Sequence, residues 1–463
     1  MFAYTRIRQV VSAGVLALTT LGGVTRLGAQ QPASRTAPPA TLVTFDEALK
    51  LALTQNVGVK QAQNAAALNS TTVAQQKLAF LPSLSLNANT GQSYGNTFNT
   101  TDGTLNSTTT NTVNAGVSSS VTLFDGMKNV SNLKSAKFDE SASEQDLARA
   151  KQTAVFTVAS NFLSLVTQQQ QLGVQQQNLT AQEALENQIS QFVKAGSRPV
   201  SDLYQQQASA ASARAAVVAA QNAVELAKVD LIQTLQLNPR GTYEFQAPTL
   251  PDTTAANVTF DLDSLLDRAF AQRPDLGADA SRVNAAQQDV KAANASKWPT
   301  ISLTGGYNSG VSSANDASFL DQLNQRRGGS IGIGVSIPIF DRGATQAATQ
   351  RAQIQADNAQ LALATQRQEV ALEVRRAYLD YDAARQQLAA ADAQQKAATL
   401  AVTTTQQRYQ VGAATLVELT QARATQVQAQ SAYITARNNV VFQQSLMSYY
   451  TGELNPANAV LGG

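Results

Sequence analysis

The sequence contains no cysteine and no histidine, and only 14% of its 463 residues are charged. These absences remove thiolate and imidazole metal ligands, cysteine nucleophiles and histidine general bases. The formal net charge of +2 offers no basic surface for a nucleic-acid backbone, so nucleic acid is not expected as a partner. We therefore expect no metal site, no cofactor and no enzyme activity.

One short pattern resembles an enzyme motif. Residues 328–332 read Gly-Gly-Ser-Ile-Gly, the G-x-S-x-G of a nucleophile elbow, which needs a strand-turn-helix setting and a base. Here the pattern opens a predicted strand, and no histidine exists to activate Ser330. The motif does not change the expectation that the chain is not an enzyme.

Residues 1–29 have the pattern of a secretory signal peptide: Arg6 and Arg8 precede an apolar run from Val10 to Val24, and small residues follow. The alternative is an N-terminal membrane anchor, but the run is short and contains several glycines and threonines. No later stretch approaches the ~18 apolar residues of a helical span, so membrane insertion would have to use strands. The lack of cysteine predicts that the exported chain is not lipidated.

The chain repeats itself at a nearly constant offset. Pro82 in FLPSLSL corresponds to Pro299 in KWPTISL, and LFDG ending at Gly126 corresponds to IFDRG ending at Gly343. Such a repeat indicates two copies of one structural unit. The predicted division is a signal peptide (1–29), a flexible N-terminal segment (30–43), a first repeat (44–240), an inter-repeat linker (241–259), a second repeat (260–457) and a C-terminal tail (458–463).

The placement of helix-breaking residues predicts very long helices. No glycine lies between Gly343 and Gly412, and no proline lies between Pro338 and Pro456. About 68 helical residues at ~1.5 Å each would span roughly 100 Å. The apolar stripe of this segment is narrow, which suits a coiled-coil seam better than a thick core. We predict helical hairpins at about 127–237 and 343–450, which turn at the short breaks AGSRP and VGAAT.

Alternating patterns predict four strands. Ile331, Ile333 and Val335 alternate with small residues, so one face is aliphatic and the other is small or polar. The alternatives are a soluble sandwich or membrane strands, and the two widely separated pairs of bilayer-crossing length favour the membrane. The predicted strands are about 83–98, 112–124, 300–308 and 330–340, with polar, flexible connections at 95–112 and 308–329.

Four strands cannot close a barrel, and an open sheet edge has no partners in lipid. Several chains must therefore pool their strands. Two chains would give eight strands around a filled interior, whereas three would give twelve around a lumen. The glycine- and serine-rich face favours the open case.

These features resemble the TolC-type outer-membrane efflux protein family. The resemblance rests on the duplicated hairpins, Pro82 and Pro299, the LFDG and IFDRG strand ends, and the segment QRYQVGAATLVELTQARATQVQAQSAY. It implies a mainly α fold with membrane β structure: a homotrimer in which each chain gives four strands to a twelve-stranded β-barrel. Long antiparallel coiled-coil hairpins would form a periplasmic α-barrel, with an equatorial region built from the inter-repeat linker and both termini.

The resemblance also implies a function and partners. The chain would be the exit duct of a tripartite efflux pump in the outer membrane of a Gram-negative-type bacterium, surrounded by outer-membrane lipid. It would dock a periplasmic adaptor and a proton-driven or ATP-driven inner-membrane pump. A type I protein secretion channel is the alternative within this class, and a structural or adhesive coiled-coil surface protein is the alternative outside it.

The family places adaptor contacts at the turns between its long helices. By motif, these turns are Gly196 in the first repeat and Val411, Gly412 and Ala413 in the second. The same glycines could merely end helices in a left-handed conformation. Pro82 and Pro299 would mark the transitions from helix to strand.

The family also implies a gate at the tunnel mouth. Asp202 and Tyr409 match positions of a polar link that holds the mouth closed, and Glu418 matches an acidic ring. A carboxylate in the first turn of a helix is favourable whatever its function, which is the duller explanation of Asp202 and Glu418. Ala414 and Gln421 depart from the family, which has an arginine link and a second ring carboxylate at these positions.

Overall fold

The computed structural model describes residues 41–246, 258–315 and 317–454, so the predicted signal peptide and C-terminal tail lie outside the described residues. The fold is mainly helical, as expected. The strands are β1 (Thr41–Thr44), β2 (Ser83–Asn99), β3 (Thr104–Phe124), β4 (Tyr243–Gln246), β5 (Thr300–Ser312) and β6 (Gly328–Ser336). The helices are α1 (Phe45–Gln55), α2 (Val57–Leu78), α3 (Lys128–Lys194), α4 (Val200–Thr234), α5 (Leu262–Gln272), α6 (Pro274–Asn294), α7 (Phe319–Gln325), α8 (Ala344–Gln410) and α9 (Leu416–Tyr450). Both halves share the order helix, helix, strand, strand, helix, helix, to which the first half adds β1 and β4 and the second half adds α7.

Four strands form one antiparallel sheet in the order β2-β3-β5-β6. The register places Leu86 opposite Val117 and Val117 opposite Tyr307, so apolar side chains share one face. Leu86 and Tyr307 are 76% and 54% exposed on that face. No element of the described ranges covers this broad apolar sheet surface, as an interaction with lipid requires.

The opposite face of the sheet carries small polar side chains that bond across strands. The hydroxyl oxygens of Ser83 and Ser120 are 3.0 Å apart, and those of Ser85 and Ser118 are 2.7 Å apart. Cross-strand hydroxyl pairs of this kind stabilise an antiparallel sheet. The predicted separation into an aliphatic and a hydrophilic face is therefore present in the sheet.

The connections between strands differ from the sequence expectation. The segment 95–112 is mostly strand, because β2 runs to Asn99 and β3 already begins at Thr104. Threonine is a favourable strand residue whatever its polarity, so the polar stretch extends the hairpin. The second connection contains α7, where the Gln322 side chain accepts a 2.8 Å hydrogen bond from the backbone N–H of Ser312. The fourth strand ends at Ser336 rather than near residue 340.

Each long helix starts after a strand pair at a turn of the same geometry, with a left-handed residue, Met127 or Gly343, before the helix. The Asp125 carboxylate accepts from the backbone N–H of Asn129 at 2.9 Å, and Asp341 accepts from that of Thr345 at 2.8 Å. These carboxylates satisfy backbone donors that a helix start leaves free, and they complement its positive end. The aspartates of LFDG and IFDRG are thus helix caps.

Pro82 and Pro299 lie at the helix-to-strand transitions, one residue before β2 and β5. Trp298, beside the second proline, is 59% exposed. Gly126 packs so closely on it that an added Cβ would lie 2.8 Å from the Trp298 Cβ, and Gly126 also has a φ of 69°. Only glycine fits this crossing, which brings the end of β3 against the second repeat.

A short parallel pair of strands includes the last residues of the predicted N-terminal segment 30–43, of which residues 30–40 lie outside the described residues. β1, at the end of the predicted segment 30–43, pairs with β4 from the inter-repeat linker. Beside this pair, the Phe162 ring of α3 meets the rings of Phe45 and Phe245 edge-on, with centroids 5.3 and 6.0 Å apart. The linker and the N-terminal strand therefore form a small packed region against the middle of the first hairpin.

The two repeats are joined by a buried ionic cluster. Arg273, whose side chain is 2% exposed, donates from Nε to Asp275 at 3.0 Å and from Nη1 to Glu373 at 2.5 Å. Arg149 of α3 donates to the Tyr449 carbonyl at 3.0 Å and lies 3.9 Å from the centre of its ring. Burial alone would raise the pKa of Asp275, but hydrogen bonds and charge from Arg273 lower it below the ordinary value.

Among the described residues, no helix is both long enough and apolar enough to cross a membrane.

Candidate functional site: the hairpin tips

Both long hairpins turn through the same helix-ending motif. Gly196 and Gly412 follow their helices with φ angles of 73° and 76°. In the first tip, the N–H of Ser197 donates to the Phe192 carbonyl at 2.9 Å, and that of Gly196 donates to Val193 at 3.0 Å. This pair of bonds is the Schellman motif, and the second tip repeats it. Both glycines are required by backbone geometry, and both are exposed.

The two tips pack against each other through one small apolar cluster. It buries residues of both hairpins: Leu185, Ile189, Tyr409, Ala414, Leu416 and Leu419. The Tyr409 side chain is only 2% exposed, and Ala414 is 7% exposed. The tips of one chain are thus a single packed unit rather than two independent loops.

Tyr409, Arg198 and Asp202 lie together at this unit. The Arg198 guanidinium carbon is 4.8 Å from the centre of the Tyr409 ring, and its Nη1 is 4.0 Å from the Asp202 carboxylate. Burial raises the pKa of Tyr409, Asp202 raises it further, and the Arg198 charge opposes them. The buried Tyr409 hydroxyl has no hydrogen-bond partner within the described part of the chain, so the expected link to Asp202 is not a direct bond here.

Arg198 is the tip residue that sequence reasoning missed. Its position follows from the turn. Arg198 is the last loop residue before Pro199, and Asp202 lies four residues after Arg198, in the first turn of α4. The four-residue spacing of Arg198 and Asp202 was the available signal. Arg198 connects the first tip to the aromatic ring of the second.

Glu418 lies on the exposed side of the second tip. Its backbone N–H donates to the Thr415 hydroxyl at 3.2 Å, which caps α9, and its carboxylate accepts from the same hydroxyl at 3.2 Å. Gln421 is also exposed, whereas Ala414 is buried in the tip cluster. The carboxylate of Glu418 therefore faces solvent at the end of the hairpins.

A polar layer lies behind the tip. Gln206 is fully buried and donates to the Gln182 carbonyl at 2.9 Å. Arg423 donates to the Ala181 carbonyl and to Gln406, both at 2.8 Å, and so ties α9 to α3 and α8. Burial lowers the pKa of Arg423. These bonds hold the two hairpins together behind the tips, and no sequence pattern predicted them.

The remaining residues that were expected to contact an adaptor lie on the surface of the second tip. Val411, Gly412 and Ala413 are exposed, and Val411 is 80% exposed. Arg408 donates to the Ala413 carbonyl at 3.1 Å, which fixes the loop. Within the described ranges, no group of three or more acidic side chains is placed to hold a metal ion, and residues 328–332 lie within or at the start of β6.

Comparison with known proteins gives a consistent result. The chain matches the family model for outer membrane efflux proteins over residues 48–235 and 265–451, once in each half. It is 26% identical over 425 residues to the outer membrane efflux protein BepC of Brucella suis, which covers 89% of this chain and 88% of that protein. It is 26% identical over 348 residues to the pyoverdine export outer membrane protein OpmQ of Pseudomonas aeruginosa, which covers 73% of this chain and 69% of that protein.

The fold is also similar to solved structures. The outer membrane protein VceC of Vibrio cholerae aligns with a TM-score of 0.75 at 18% identity, over 88% of this chain and 96% of that chain. At this identity the likeness concerns the fold alone.

Proposed function

The chain belongs to the outer membrane efflux protein family, and from this membership we propose that three copies of it assemble into one closed duct. Proteins of this family are outer-membrane channels that work with a periplasmic adaptor and an inner-membrane pump. The chain is an outer-membrane exit duct of such a tripartite system and extends into the periplasm. Family membership sets aside the structural or adhesive alternative.

The observation that carries the proposal is the open four-stranded sheet. Its outer strands β2 and β6 have one unpaired edge each, and its apolar face is exposed. Unpaired backbone groups are not tolerated in hydrocarbon, so β6 of one copy pairs with β2 of the next until the ring closes. Three copies supply twelve strands, which are enough to leave a lumen lined by the serine and glycine face.

The helical part gives the duct its length. The 67 residues of α3 and of α8 each correspond to roughly 100 Å of helix. Six such hairpins, two from each copy, form the wall of the periplasmic tunnel. A solute passes from the hairpin tips to the sheet, and the duct itself supplies no energy.

We assign the gate to the tips. Arg198 holds Tyr409 and Asp202 together in one chain, so opening requires the packed tips to move as a unit or this contact to break. Three copies of Glu418 would concentrate negative potential in a narrow mouth, which favours cations. Ala414 packs in the tip cluster and carries no charge, so the arginine of the closing contact comes from position 198 rather than from position 414.

We assign adaptor docking to the exposed tip loops. Gly196, Val411, Gly412 and Ala413 lie at the ends of the hairpins, and Val417 beside them is 71% exposed. An apolar surface of this kind, presented on a fixed turn, suits a protein partner. The docking partner is the periplasmic adaptor, through which the inner-membrane pump is reached.

We propose a small-molecule cargo. BepC is named for efflux and OpmQ for pyoverdine export, and neither name refers to protein secretion. Transport of small solutes also fits a tunnel whose mouth is held by a few side-chain contacts. Protein secretion remains the alternative use of the same duct.

The assembly is tested by expression in a Gram-negative host and separation of its membranes. The proposal predicts trimers in the outer-membrane fraction that resist detergent at room temperature and dissociate to monomers on heating. A soluble monomer in the periplasmic fraction would contradict it. Loss of solute export in a deletion strain, restored by the intact gene, tests the cargo class.

A further inference from the structure

The long helices α3 and α8 have different neighbours. α3 packs against α4 of its own repeat and against α6 and α9 of the other repeat. α8 packs against α6 and α9, and among the described residues it has no comparable contact with α2 or α4. One flank of α8 and one of α4 are left open, with Leu372, Leu379 and Leu226 being 46%, 58% and 57% exposed.

The two repeats can be compared residue by residue along these helices. α3 and α8 have 67 residues each, and they begin at Lys128 and Ala344, 216 positions apart. α4 and α9 have 35 residues each and begin with the same separation. Gln236 and Gly452, the residues in left-handed conformation that follow these helices, are separated by the same 216 positions. Each position on α8 or α4 thus has a defined counterpart on α3 or α9.

Inside the chain, α3 and α9 are joined by glutamine side chains that donate to backbone carbonyls. Nε2 of Gln152 donates to the Gly452 carbonyl at 3.0 Å, and Nε2 of Gln171 donates to the Ser431 carbonyl at 2.9 Å. Because the acceptors are main-chain oxygens, these bonds do not depend on the acceptor side chain. We call this α3–α9 contact the internal seam.

Side-chain pairs complete the internal seam. Asn438 donates to the Thr167 hydroxyl at 2.8 Å and to the Gln170 amide oxygen at 3.0 Å. The Phe156 and Phe442 rings have centroids 5.9 Å apart. The seam therefore combines an apolar pair with amide hydrogen bonds.

The donors of the internal seam recur on the open flank of α8. Gln368 and Gln387 are the counterparts of Gln152 and Gln171. Gln152 is 7% exposed in the seam, whereas Gln368 and Gln387 are exposed. Glutamine therefore occurs at both donor positions of α8, on a surface where no backbone carbonyl of the described residues accepts from it in the same way.

Other seam positions recur as well. Leu379 is the counterpart of Leu163, and the two are 58% and 4% exposed. Gln386 is the counterpart of Gln170, and Asn222 on α4 is the counterpart of Asn438. The aromatic pair is replaced by Leu372 and Leu226, both exposed apolar residues. The two open flanks thus carry the two halves of the same seam.

We propose that the open flank of α8 and the open flank of α4 in a second copy of this chain form a seam with the register of the internal one. Gln368 donates to the Gln236 carbonyl of the next copy, Gln387 donates to its Ala215 carbonyl, and Leu372 packs on its Leu226. This inference rests on the proposed trimer and adds which residues meet across its subunit boundary.

The absence of cysteine makes disulfide trapping a clean test. Ala383 and Asn222 are the counterparts of Thr167 and Asn438, and both are exposed in the single chain, so Ala383→Cys with Asn222→Cys leaves the folded chain intact. A disulfide needs Cα atoms within about 7 Å, so only the proposed register allows it. Mild oxidation of the detergent-solubilised trimer should give a covalent trimer on a non-reducing denaturing gel. Ala215→Cys with Gln387→Cys is an independent second pair.

Two controls fix the interpretation. The first control is Asn222→Cys with Ala397→Cys. Ala397 is an exposed alanine of α8 that lies ~21 Å from Ala383 along the helix axis, so this pair should give no intersubunit link. Thr167→Cys with Asn438→Cys should link within one chain and leave it at monomer size.

The outcomes separate this inference from the proposed function. If the wild type is trimeric but the variants with either seam pair form no covalent product, or the variant with the displaced pair links equally well, the seam is wrong and the proposed duct is unaffected. A wild-type chain that is monomeric in detergent would overturn the proposed assembly itself.

Discussion

Arg198 lies over the ring of Tyr409, with its guanidinium carbon 4.8 Å from the ring centre, although the two residues belong to different helical hairpins. Arg198 also pairs with Asp202 on its own hairpin at 4.0 Å. A single arginine thus joins both tips of the chain, beside a tyrosine hydroxyl that has no hydrogen bond in the described structure. We propose that the closed mouth of the duct depends on this contact.

Replacing this arginine should loosen the mouth. A cation–π contact near the surface contributes about 0.5–1 kcal/mol, so Arg198→Ala should raise the open-to-closed ratio about two- to five-fold. Single-channel recording in planar bilayers measures that ratio directly. Arg214→Ala removes an exposed arginine of the same hairpin that pairs with Glu183 instead, and it should leave gating unchanged. Equal open probabilities for Arg198→Ala and the wild type would show that the mouth is held elsewhere.

Glu418 should set ion preference. Glu418→Gln keeps an acceptor for the Thr415 hydroxyl and removes three negative charges from the trimer mouth, so cation preference should fall. The reversal potential in a salt gradient measures this change. Glu244→Gln neutralises an exposed carboxylate on β4, away from the tips, and is the matched control. An unaltered reversal potential in Glu418→Gln would place the selectivity filter at another level of the duct.

The buried cluster between the repeats should contribute more to stability than its exposed counterparts. Arg273→Met removes the arginine that pairs with the partly buried carboxylates of Asp275 and Glu373 and leaves Asp275 with the more distant Arg149 at 3.8 Å, which costs about 3 kcal/mol. Arg282→Met breaks a half-exposed pair with Asp146 and should cost less than about 1 kcal/mol. Thermal unfolding of the two variants in detergent compares these losses. Similar unfolding temperatures would mean that the cluster adds no stability beyond that of surface pairs.

Asp139 should make stability depend on pH in a defined direction. Burial raises the pKa of Asp139, the nearby Asp289 raises it further, and Arg282 opposes them. A carboxyl with a raised folded-state pKa favours the folded state only while it is protonated, so its contribution is lost as pH rises through that pKa. Asp139→Asn should therefore raise the unfolding temperature near pH 7 and leave it unchanged well below the ordinary carboxyl pKa. Equal stabilisation at both pH values would indicate a packing effect instead.

Much of the helical architecture can be predicted from the long stretches of sequence that contain no glycine or proline. The stretch without glycine between Gly343 and Gly412 contains α8 at Ala344–Gln410. Glycine alone is not decisive, because Gly173 lies inside α3 and the packing of the surrounding turns outweighs its low helix propensity. The period-two alternation of apolar and small residues likewise predicted the four strands of the β2-β3-β5-β6 sheet.

Features that depend on distant partners could not be predicted. β1 and β4 are four residues each and pair across nearly the whole first repeat, so neither has a periodic pattern of its own. β3 begins in a threonine-rich stretch whose polarity suggested a loop, because pairing with β2 rather than burial fixes it. At the tip, the spacing of Arg198 and Asp202 indicates their ion pair, but the contact of Arg198 with Tyr409 and those of Arg423 join different helices, and no local spacing reveals them.

Conductance of the purified protein in a planar lipid bilayer tests the central claim most directly. The account predicts discrete, cation-preferring current steps from trimers, with a higher open probability in Arg198→Ala. A folded protein that inserts no conducting unit, or that conducts as a monomer, would contradict it.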